Sequence, residues 1–232
     1  MHALLRHLET VGFAGSPRVV GSGFDDDGRE TVTFIPGEFV HPHVWTDEGI
    51  AALGGLLRRL HDASAGFIPP ADAEWQAWFT RSTAPAAVFG HGDVGPWNIV
   101  ARDGLPVAFI DWEFAGPVDR LDEVAQAAWL NAQLHGDDVA TIAHLPSAEA
   151  RAQQLRLFVD GYGLIAAERV GLVTKMIDFA VRDAANEITQ EGGLKMAKRP
   201  TGPSDPGWGP AWRIRAAAWL VEHRALLESA IA

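Results

Sequence analysis

The segment His91-Gly92-Asp93-Val94-Gly95-Pro96-Trp97-Asn98 and the apolar strand that follows it constrain the fold more than any other part of the chain. Asn98 lies five positions after Asp93, and Asp111, which ends the strand, lies eighteen positions after it. Between them, the Asp103-Gly104 pair predicts a tight turn, because such pairs favour the backbone angles that join antiparallel strands. The sequence therefore predicts a hairpin with Asn98 at its beginning and Asp111 at its end.

These three side chains are the residue types that phosphoryl transfer requires. That chemistry needs a carboxylate that orients the attacking hydroxyl, and oxygen ligands that hold magnesium on the nucleotide phosphates. We predict Asp93 as the catalytic base, and Asn98 and Asp111 as ligands of Mg²⁺, since hard cations prefer oxygen donors. Either aspartate could instead be a turn residue that satisfies local backbone groups. The joint spacing favours the catalytic interpretation.

At these positions the chain resembles the aminoglycoside phosphotransferase and choline kinase-like family. The family signature is H-G-D-x-x-x-x-N followed by I-D-W or I-D-F, and the chain has His91-Gly92-Asp93 to Asn98 and then Ile110-Asp111-Trp112. The resemblance implies an α+β, protein kinase-like fold. It implies a reduced N-terminal β lobe with the hinge at 1–40, and a mainly helical C-terminal lobe with the catalytic and substrate residues at 41–232.

The resemblance also implies supporting roles. It places a hinge, whose backbone would contact the nucleotide base, at four residues: Phe34, Ile35, Pro36 and Gly37. It implies that His91 braces the catalytic loop and the metal aspartate. Glu113 follows Asp111 by two residues, and would share its face if the strand continued. Glu113 is then either a supporting residue of the metal site or a solvated carboxylate.

Periodicity and turn residues predict the remaining elements. A helix is predicted at 2–12 with Gly12 as its stop, and a hairpin at 18–39 around an Asp25-Asp26-Asp27-Gly28 turn. Thr46 should cap a helix that runs to about Ser64. Further helices are predicted at 119–134, 148–165, 168–191 and 211–229, with a Pro- and Gly-rich loop at 201–207.

The sequence departs from the family at its beginning. Family members carry a glycine-rich hairpin and a phosphate-contacting lysine before the first helix seen here, whereas the lysines of this chain lie at positions 175, 195 and 198. A start upstream of Met1, a truncation, or an arginine that replaces the lysine would each explain this; the candidate arginines are Arg6, Arg18 and Arg29. The missing contact leaves a catalytically silent binder of a ligand or partner protein as the alternative function. The exposed edge of a cut-down sheet would also favour pairing with a second copy of the chain.

Composition limits the partners. A formal net charge of −11 argues against nucleic acid, which is bound by lysine and arginine patches. We expect a small molecule with a hydroxyl group, and a cationic one is an option. Acids on the later helices could bind its amines or could simply be solvated: Asp137, Asp138, Asp160, Asp183, Glu187 and Glu191. Several of the nine tryptophans could line an aromatic pocket or belong to the core: Trp75, Trp78, Trp208, Trp212 and Trp219.

The chain carries no apolar run long enough for a membrane helix, and its first residues are charged. These features, with the absence of cysteine, indicate a cytoplasmic protein that does not bind membranes. The expected activity is transfer of the γ-phosphoryl group of ATP or GTP, with Mg²⁺, to an alcohol such as an aminoglycoside. A phosphoester hydrolase is the weaker interpretation, because a two-metal site would need further acids or histidines.

Overall fold

The structure, a computed structural model, describes residues 1–82, 84, 87–190 and 208–232. The N-terminal elements are α1 (His2–Thr10), β1 (Val19–Phe24), β2 (Glu30–Val32) and α2 (Asp47–Ser64). Four short strands follow: β3 (Val88–Gly90), β4 (Ile99–Arg102), β5 (Leu105–Phe109) and β6 (Gly116–Val118). The rest is helical: α3 (Arg120–Asn131), α4 (Asp137–Ile142), α5 (Ala148–Tyr162), α6 (Ala166–Arg169), α7 (Leu172–Gln190), α8 (Trp208–Glu222) and α9 (Arg224–Ile231). The predicted loop at 201–207 lies outside the described residues, as does Glu191.

The predicted α+β class is confirmed, and the helix ends follow the local chemistry. Gly12 stands just beyond α1 with φ +82, a conformation that glycine adopts without strain. The Thr46 side chain accepts a hydrogen bond from the Gly49 N–H and so caps α2, and Asp119 caps α3 in the same way. The helix predicted at 211–229 is wrong as a single element, since it divides at His223 into α8 and α9.

The described strands form three two-stranded antiparallel sheets, β1 with β2, β3 with β6 and β4 with β5. The β4–β5 hairpin turns at Asp103 and Gly104, whose φ angles are 52 and 75, as the Asp-Gly pair predicted. Its register places Ile99 opposite Phe109. Both residues are fully buried in the apolar core below the hairpin, so the hairpin is held firmly against the helices. No helix of the described residues is long and apolar enough to cross a membrane.

Helices α2 and α5 approach each other at two glycines. A methyl group added at Gly54 would lie 2.2 Å from the carbonyl oxygen of Phe158, and one added at Gly161 would lie 2.0 Å from that of Ala51. Both neighbours are backbone atoms, which cannot rotate away. The close packing of the two helices therefore requires glycine at both positions.

Replacing Gly54 with alanine should destabilise the protein by about 1–3 kcal/mol, because overpacking forces the helices apart. Gly55 provides a matched control on the same helix, since an added methyl group there would meet nothing closer than 3.4 Å. Gly55→Ala should be neutral or stabilising by up to about 1 kcal/mol, because alanine favours helix. The comparison is made by urea unfolding, and equal stability of the two variants would contradict this account of the packing.

Candidate active site

Strands β3 and β6 form the base of the candidate site. The chain leaves β3, runs through the polar motif and the β4–β5 hairpin, and returns to β6 with Gly90 opposite Gly116. Gly92 has φ +83, and a methyl group on it would lie 2.1 Å from the carbonyl oxygen of Phe114. Only glycine fits there, which explains why a glycine separates His91 from Asp93.

Asp93 and Asn98 are joined by two hydrogen bonds. The side-chain nitrogen of Asn98 donates to the Asp93 carboxylate oxygen Oδ2 at 2.9 Å and to the Asp93 carbonyl oxygen at 3.0 Å. Asn98 is buried and ends a short 3-10 helix, Pro96–Asn98. With its nitrogen committed to Asp93, the side-chain oxygen of Asn98 is the atom left for a cation.

Asp111 lies beside this pair. The Ile110 N–H donates to the Asn98 carbonyl oxygen at 3.0 Å, which places the next residue, Asp111, close to Asn98. The place where Asp93, Asn98 and Asp111 meet is called the junction below. Asp111 is exposed and has φ 61, a left-handed conformation that is uncommon for a residue with a side chain. Strained backbone of this kind clusters at functional sites. The structure thus brings together the three residues predicted as base and metal ligands, and their roles stay predictions.

His91 connects the two halves of this junction. Its Nδ1 lies 3.3 Å from the Asp93 N–H, which can only donate, and its Nε2 lies 2.7 Å from the Ile110 carbonyl oxygen, which can only accept. A neutral imidazole with its proton on Nε2 satisfies both contacts. His91 is fully buried and has the geometry of the predicted brace between the Asp93 loop and the Asp111 loop.

Burial raises the pKa of the Asp93 carboxyl above its ordinary value, and the negative charge of Asp111 acts in the same direction. Hydrogen bonds from the side chains of Trp97 and Asn98 oppose this shift. A carboxylate with a raised pKa is a stronger proton acceptor, as a general base requires. The same electrostatic coupling indicates that Asp111 lies close enough to Asp93 for the two charges to interact.

A cavity of about 410 Å³ opens beside Asp111, and three of the four predicted hinge residues line it: Phe34, Ile35 and Gly37. Pro36 does not line it, and its carbonyl oxygen accepts a hydrogen bond from Arg102 instead. Gly37 lies against β4, where an added methyl group would be 2.4 Å from the Ala101 carbonyl oxygen. The cavity has the size and apolar character of a small-molecule site.

Helix α3 holds the polar motif through residues that the sequence analysis missed. Glu123 Oε1 accepts from the Gly92 N–H at 2.6 Å, and the Gln126 side chain pairs with both Gly92 and Val94. Asn131 donates to the Val94 carbonyl oxygen at 2.9 Å. The available signal was the presence of three polar residues in a helix whose other central positions are apolar.

Glu123 belongs to a buried chain of hydrogen bonds. His61 Nε2 lies 2.5 Å from Glu123 Oε2, and the Tyr162 hydroxyl lies 2.7 Å from His61 Nδ1 and accepts from Arg120. Burial alone would raise the pKa of Glu123, but hydrogen bonds from His61 and Gly92 hold that pKa below its ordinary value. Burial raises the pKa of Tyr162 to about 12, so its hydroxyl keeps its proton. His61 is thus a core residue with a carboxylate partner that the sequence did not reveal.

Glu113 is exposed and does not share a strand face with Asp111. Strand β5 ends at Phe109, before Asp111 and Glu113. The alternation of side chains along a strand, which predicted a shared face for these two residues, therefore does not apply. The supporting role of Glu113 stays a prediction.

Of the three candidate arginines, Arg6 donates to the Gly21 carbonyl oxygen, and Arg29 pairs with the acids of its own turn. Arg18 lies 3.9 Å from Glu9, and its Nη1 has no hydrogen-bond partner. All three guanidinium groups keep further N–H donors, and none of the three arginines lines the cavity beside Asp111.

The donor set at the junction fits Mg²⁺. Magnesium is usually bound through one or two protein carboxylates together with substrate phosphates and water, and an exposed Asp111 beside the free oxygen of Asn98 meets that requirement. Within the described residues there is no cluster of three or more His, Cys, Asp or Glu side chains that could hold a metal by itself. A cation here would therefore depend on nucleotide phosphates for its remaining ligands.

Three comparisons with known proteins each found similar proteins. Residues 68–169, which contain the whole path from β3 to β6, match the phosphotransferase enzyme family. The chain is 52% identical over 231 residues to the trifolitoxin immunity protein of Rhizobium leguminosarum bv. trifolii, across 99% of the chain and 87% of that protein. It is also similar to a crystal structure of aminoglycoside-3'-phosphotransferase of type VIII, with 20% identity, a TM-score of 0.45, and coverage of 77% of this chain and 78% of that one.

The matched segment and its motif place the fold in the class of kinase-like phosphotransferases. The chain belongs to the aminoglycoside phosphotransferase-like family, as its resemblance at residues 90–125 predicted.

Proposed function

We propose that the chain transfers the γ-phosphoryl group of ATP or GTP to a hydroxyl group of a small molecule. The observation that carries this proposal is the junction where the Asp93 carboxylate is held by Asn98 beside an exposed, left-handed Asp111. Asp93 would hold the acceptor hydroxyl and take its proton, and Asn98 would keep the carboxylate in place. Asn98 and Asp111 would hold Mg²⁺, which supplies charge neutralisation on the phosphates.

The nucleotide base would occupy the cavity beside the hinge. Phe34 is 86% exposed and Phe39 is 51% exposed, although both line this cavity, so a planar base would cover apolar surface that now faces water. The nucleotide would then lie with its base at the hinge and its phosphates at Asp111. Arg18 follows Pro17, which lines this cavity, and is our candidate for the phosphate contact.

Saturating Mg²⁺ and ATP should raise the Tm, since a ligand that binds only the native state stabilises it by about 2.7 kcal/mol at 100 times its Kd. For a chain of this length that gain corresponds to about 5–10 °C. Asp111→Asn should remove most of the magnesium-dependent part of the shift. Asp178→Asn, an exposed acid on α7, is the control and should leave it intact. A wild-type Tm that does not move at millimolar nucleotide would reject the proposal.

The second candidate, a catalytically silent binder, is favoured by one observation. Among the described residues that line the nucleotide cavity, none is lysine or arginine. The immunity function named for the 52% identical relative is compatible with either mechanism, because a toxin can be neutralised by phosphorylation or by sequestration. Protection of a sensitive host against trifolitoxin would separate them. Phosphorylation requires Asp93, whereas sequestration would survive Asp93→Asn.

A further inference from the structure

A second cavity, of about 380 Å³, lies on the catalytic loop. Pro96 and Trp97 line it from the loop, and α4 and α8 line it from the opposite side. Trp97 also interacts with the Asp93 carboxylate, whereas Asp111 lines the nucleotide cavity. Asp93 therefore lies next to Trp97, which lines the second cavity, and next to Asp111, which lines the nucleotide cavity. A base that takes a proton from an acceptor beside the nucleotide must occupy such a position.

The walls of this second cavity, called the acceptor cavity below, are aromatic. Trp97, Trp208 and Trp212 line it, and the side chain of Trp97 is 38% exposed. Trp212 is fixed by stacking on the buried Trp129, with ring centroids 5.3 Å apart. His135 meets Trp212 edge to face at 5.1 Å. These flat, rigid walls fit a planar apolar group.

The described part of the lining carries no charge at neutral pH. Among the described residues that line the cavity, none is aspartate, glutamate, lysine or arginine. Burial, with the nearby charges of Arg151 and His41, lowers the pKa of His135 to about 3. Burial and His43 lower the pKa of His41 as well. Both imidazoles are thus neutral at pH 7, and the described lining residues offer no counter-ion for a charged ligand.

Two acids near this region already have cationic partners. Asp183 pairs with Arg213 at 2.5 Å, and Asp138 pairs with Arg215 at 2.6 Å. These carboxylates are two of the acids that could have bound an amine-rich acceptor. Arg213 also pairs with Glu187, so each of these acids is engaged by an arginine and a polyamine would have to displace an existing ion pair.

The same arginines occupy faces of the cavity tryptophans. Arg213 lies 4.8 Å from the ring centre of Trp212, and Arg215 lies 5.2 Å from that of Trp208. A ligand cation would share these rings with a guanidinium of the same sign, which weakens the attraction that aromatic cages offer. The tryptophans therefore provide an apolar wall better than they provide a cation site.

We propose that the acceptor is an uncharged alcohol with an apolar, planar body, bound between Trp97, Trp208 and Trp212 with its hydroxyl group at Asp93. This assignment rests on the proposed phosphotransferase function and names its acceptor class. In the transfer, the hydroxyl oxygen forms a bond to the γ-phosphorus, the bond from that phosphorus to the bridging oxygen breaks, and the hydroxyl proton passes to Asp93. The nucleoside diphosphate leaves with the electron pair.

A matched pair of probes tests this charge preference. 2-(2-Naphthyl)ethanol and 2-(2-naphthyl)ethylamine have the same planar body, but the amine is cationic at pH 7. Their Kd values are measured by quenching of tryptophan fluorescence, with Mg²⁺ and a non-hydrolysable ATP analogue present to fill the nucleotide cavity. We expect the alcohol to bind at least about tenfold more tightly, because a charge without a partner is costly in an apolar site.

A charge introduced at Ile142 tests whether the two probes bind in the acceptor cavity. Ile142 lines the acceptor cavity and is 58% exposed, so a charge is tolerated there by the fold. Ile142→Glu should bring the amine Kd down at least about fivefold and remove most of the preference for the alcohol. Ile214→Glu is the matched control on α8, because Ile214 is 47% exposed and is not among the residues that line the cavity. It should change neither Kd.

The outcomes separate the two proposals. Wild-type protein that binds the amine as tightly as the alcohol, or an Ile142→Glu variant that behaves like Ile214→Glu, would overturn the acceptor assignment. Nucleotide binding and phosphoryl transfer would then be unaffected. Preferential binding of the alcohol supports the assignment. If that binding is seen without any magnesium-dependent nucleotide binding, the phosphotransferase function fails instead.

Discussion

Asp93→Asn should lower kcat/KM for phosphoryl transfer by about 10²–10⁴-fold, the usual contribution of a positioned general base. The variant keeps the shape of the side chain and can still accept the Asn98 hydrogen bond through its amide oxygen. The fold and the nucleotide cavity should therefore be unchanged, because Asp93 does not line that cavity. Phosphorylated product is quantified by mass spectrometry with an acceptor found in a panel of alcohols.

Asp26→Asn supplies the control for this experiment, since Asp26 is an exposed turn residue in the β1–β2 hairpin. It should leave kcat/KM at the wild-type value. The shift of Tm with Mg²⁺ and ATP should be present in both variants, which separates a loss of chemistry from a loss of folding. Product formation by Asp93→Asn at a rate near that of the wild type would exclude Asp93 as the base.

Glu123→Ala should be the most destabilising change at a charged residue, at about 3–5 kcal/mol, because it leaves a buried imidazole and a buried N–H without their partner. The stabilisation that Glu123 contributes also depends on pH. The folded pKa of Glu123 lies below its ordinary value of 4.5, so the stabilisation is present above pH 4.5 and is lost as pH falls through the folded pKa. Urea unfolding at several pH values measures both effects.

Two further variants serve as comparisons for the stability change of Glu123→Ala. Glu222→Ala removes an exposed glutamate from α8 and should change stability by less than about 0.5 kcal/mol. Glu123→Gln keeps the shape and can form new hydrogen bonds with His61 and Gly92, so its cost should lie between those of the two alanine variants. A cost below about 1 kcal/mol for Glu123→Ala would show that the buried network does not secure the catalytic loop.

The sequence predicted the local geometry of the site well, because that geometry depends on short-range rules. The Asp103-Gly104 turn sets the hairpin, and the hairpin brings Asp111 back to Asn98. The helix cap at Thr46 could be predicted for the same reason. The division of the last helix at His223 could not, since neither glycine nor proline marks the break.

The contacts that hold the site through residues far apart in the sequence could not be predicted. His61 and Glu123 meet across 62 positions of sequence, and Asn131 reaches Val94 across 37, so no local pattern connects these partners. The acceptor cavity likewise assembles from the segment at 41–42, the catalytic loop, α4 and α8. The ion pairs that engage acids near it, such as that of Arg213 with Asp183, cannot be revealed by a count of acids along the chain.

A crystal structure of Asp93→Asn with Mg²⁺ and a non-hydrolysable ATP analogue tests the central claim most directly. The claim is that Asn98 and Asp111 jointly hold the cation on the nucleotide phosphates. We expect a magnesium ion about 2.0–2.1 Å from a side-chain oxygen of each residue, the distance that this cation requires, with the base beside Phe34 and Ile35. A nucleotide bound elsewhere, or a magnesium ion that contacts neither residue, would contradict it.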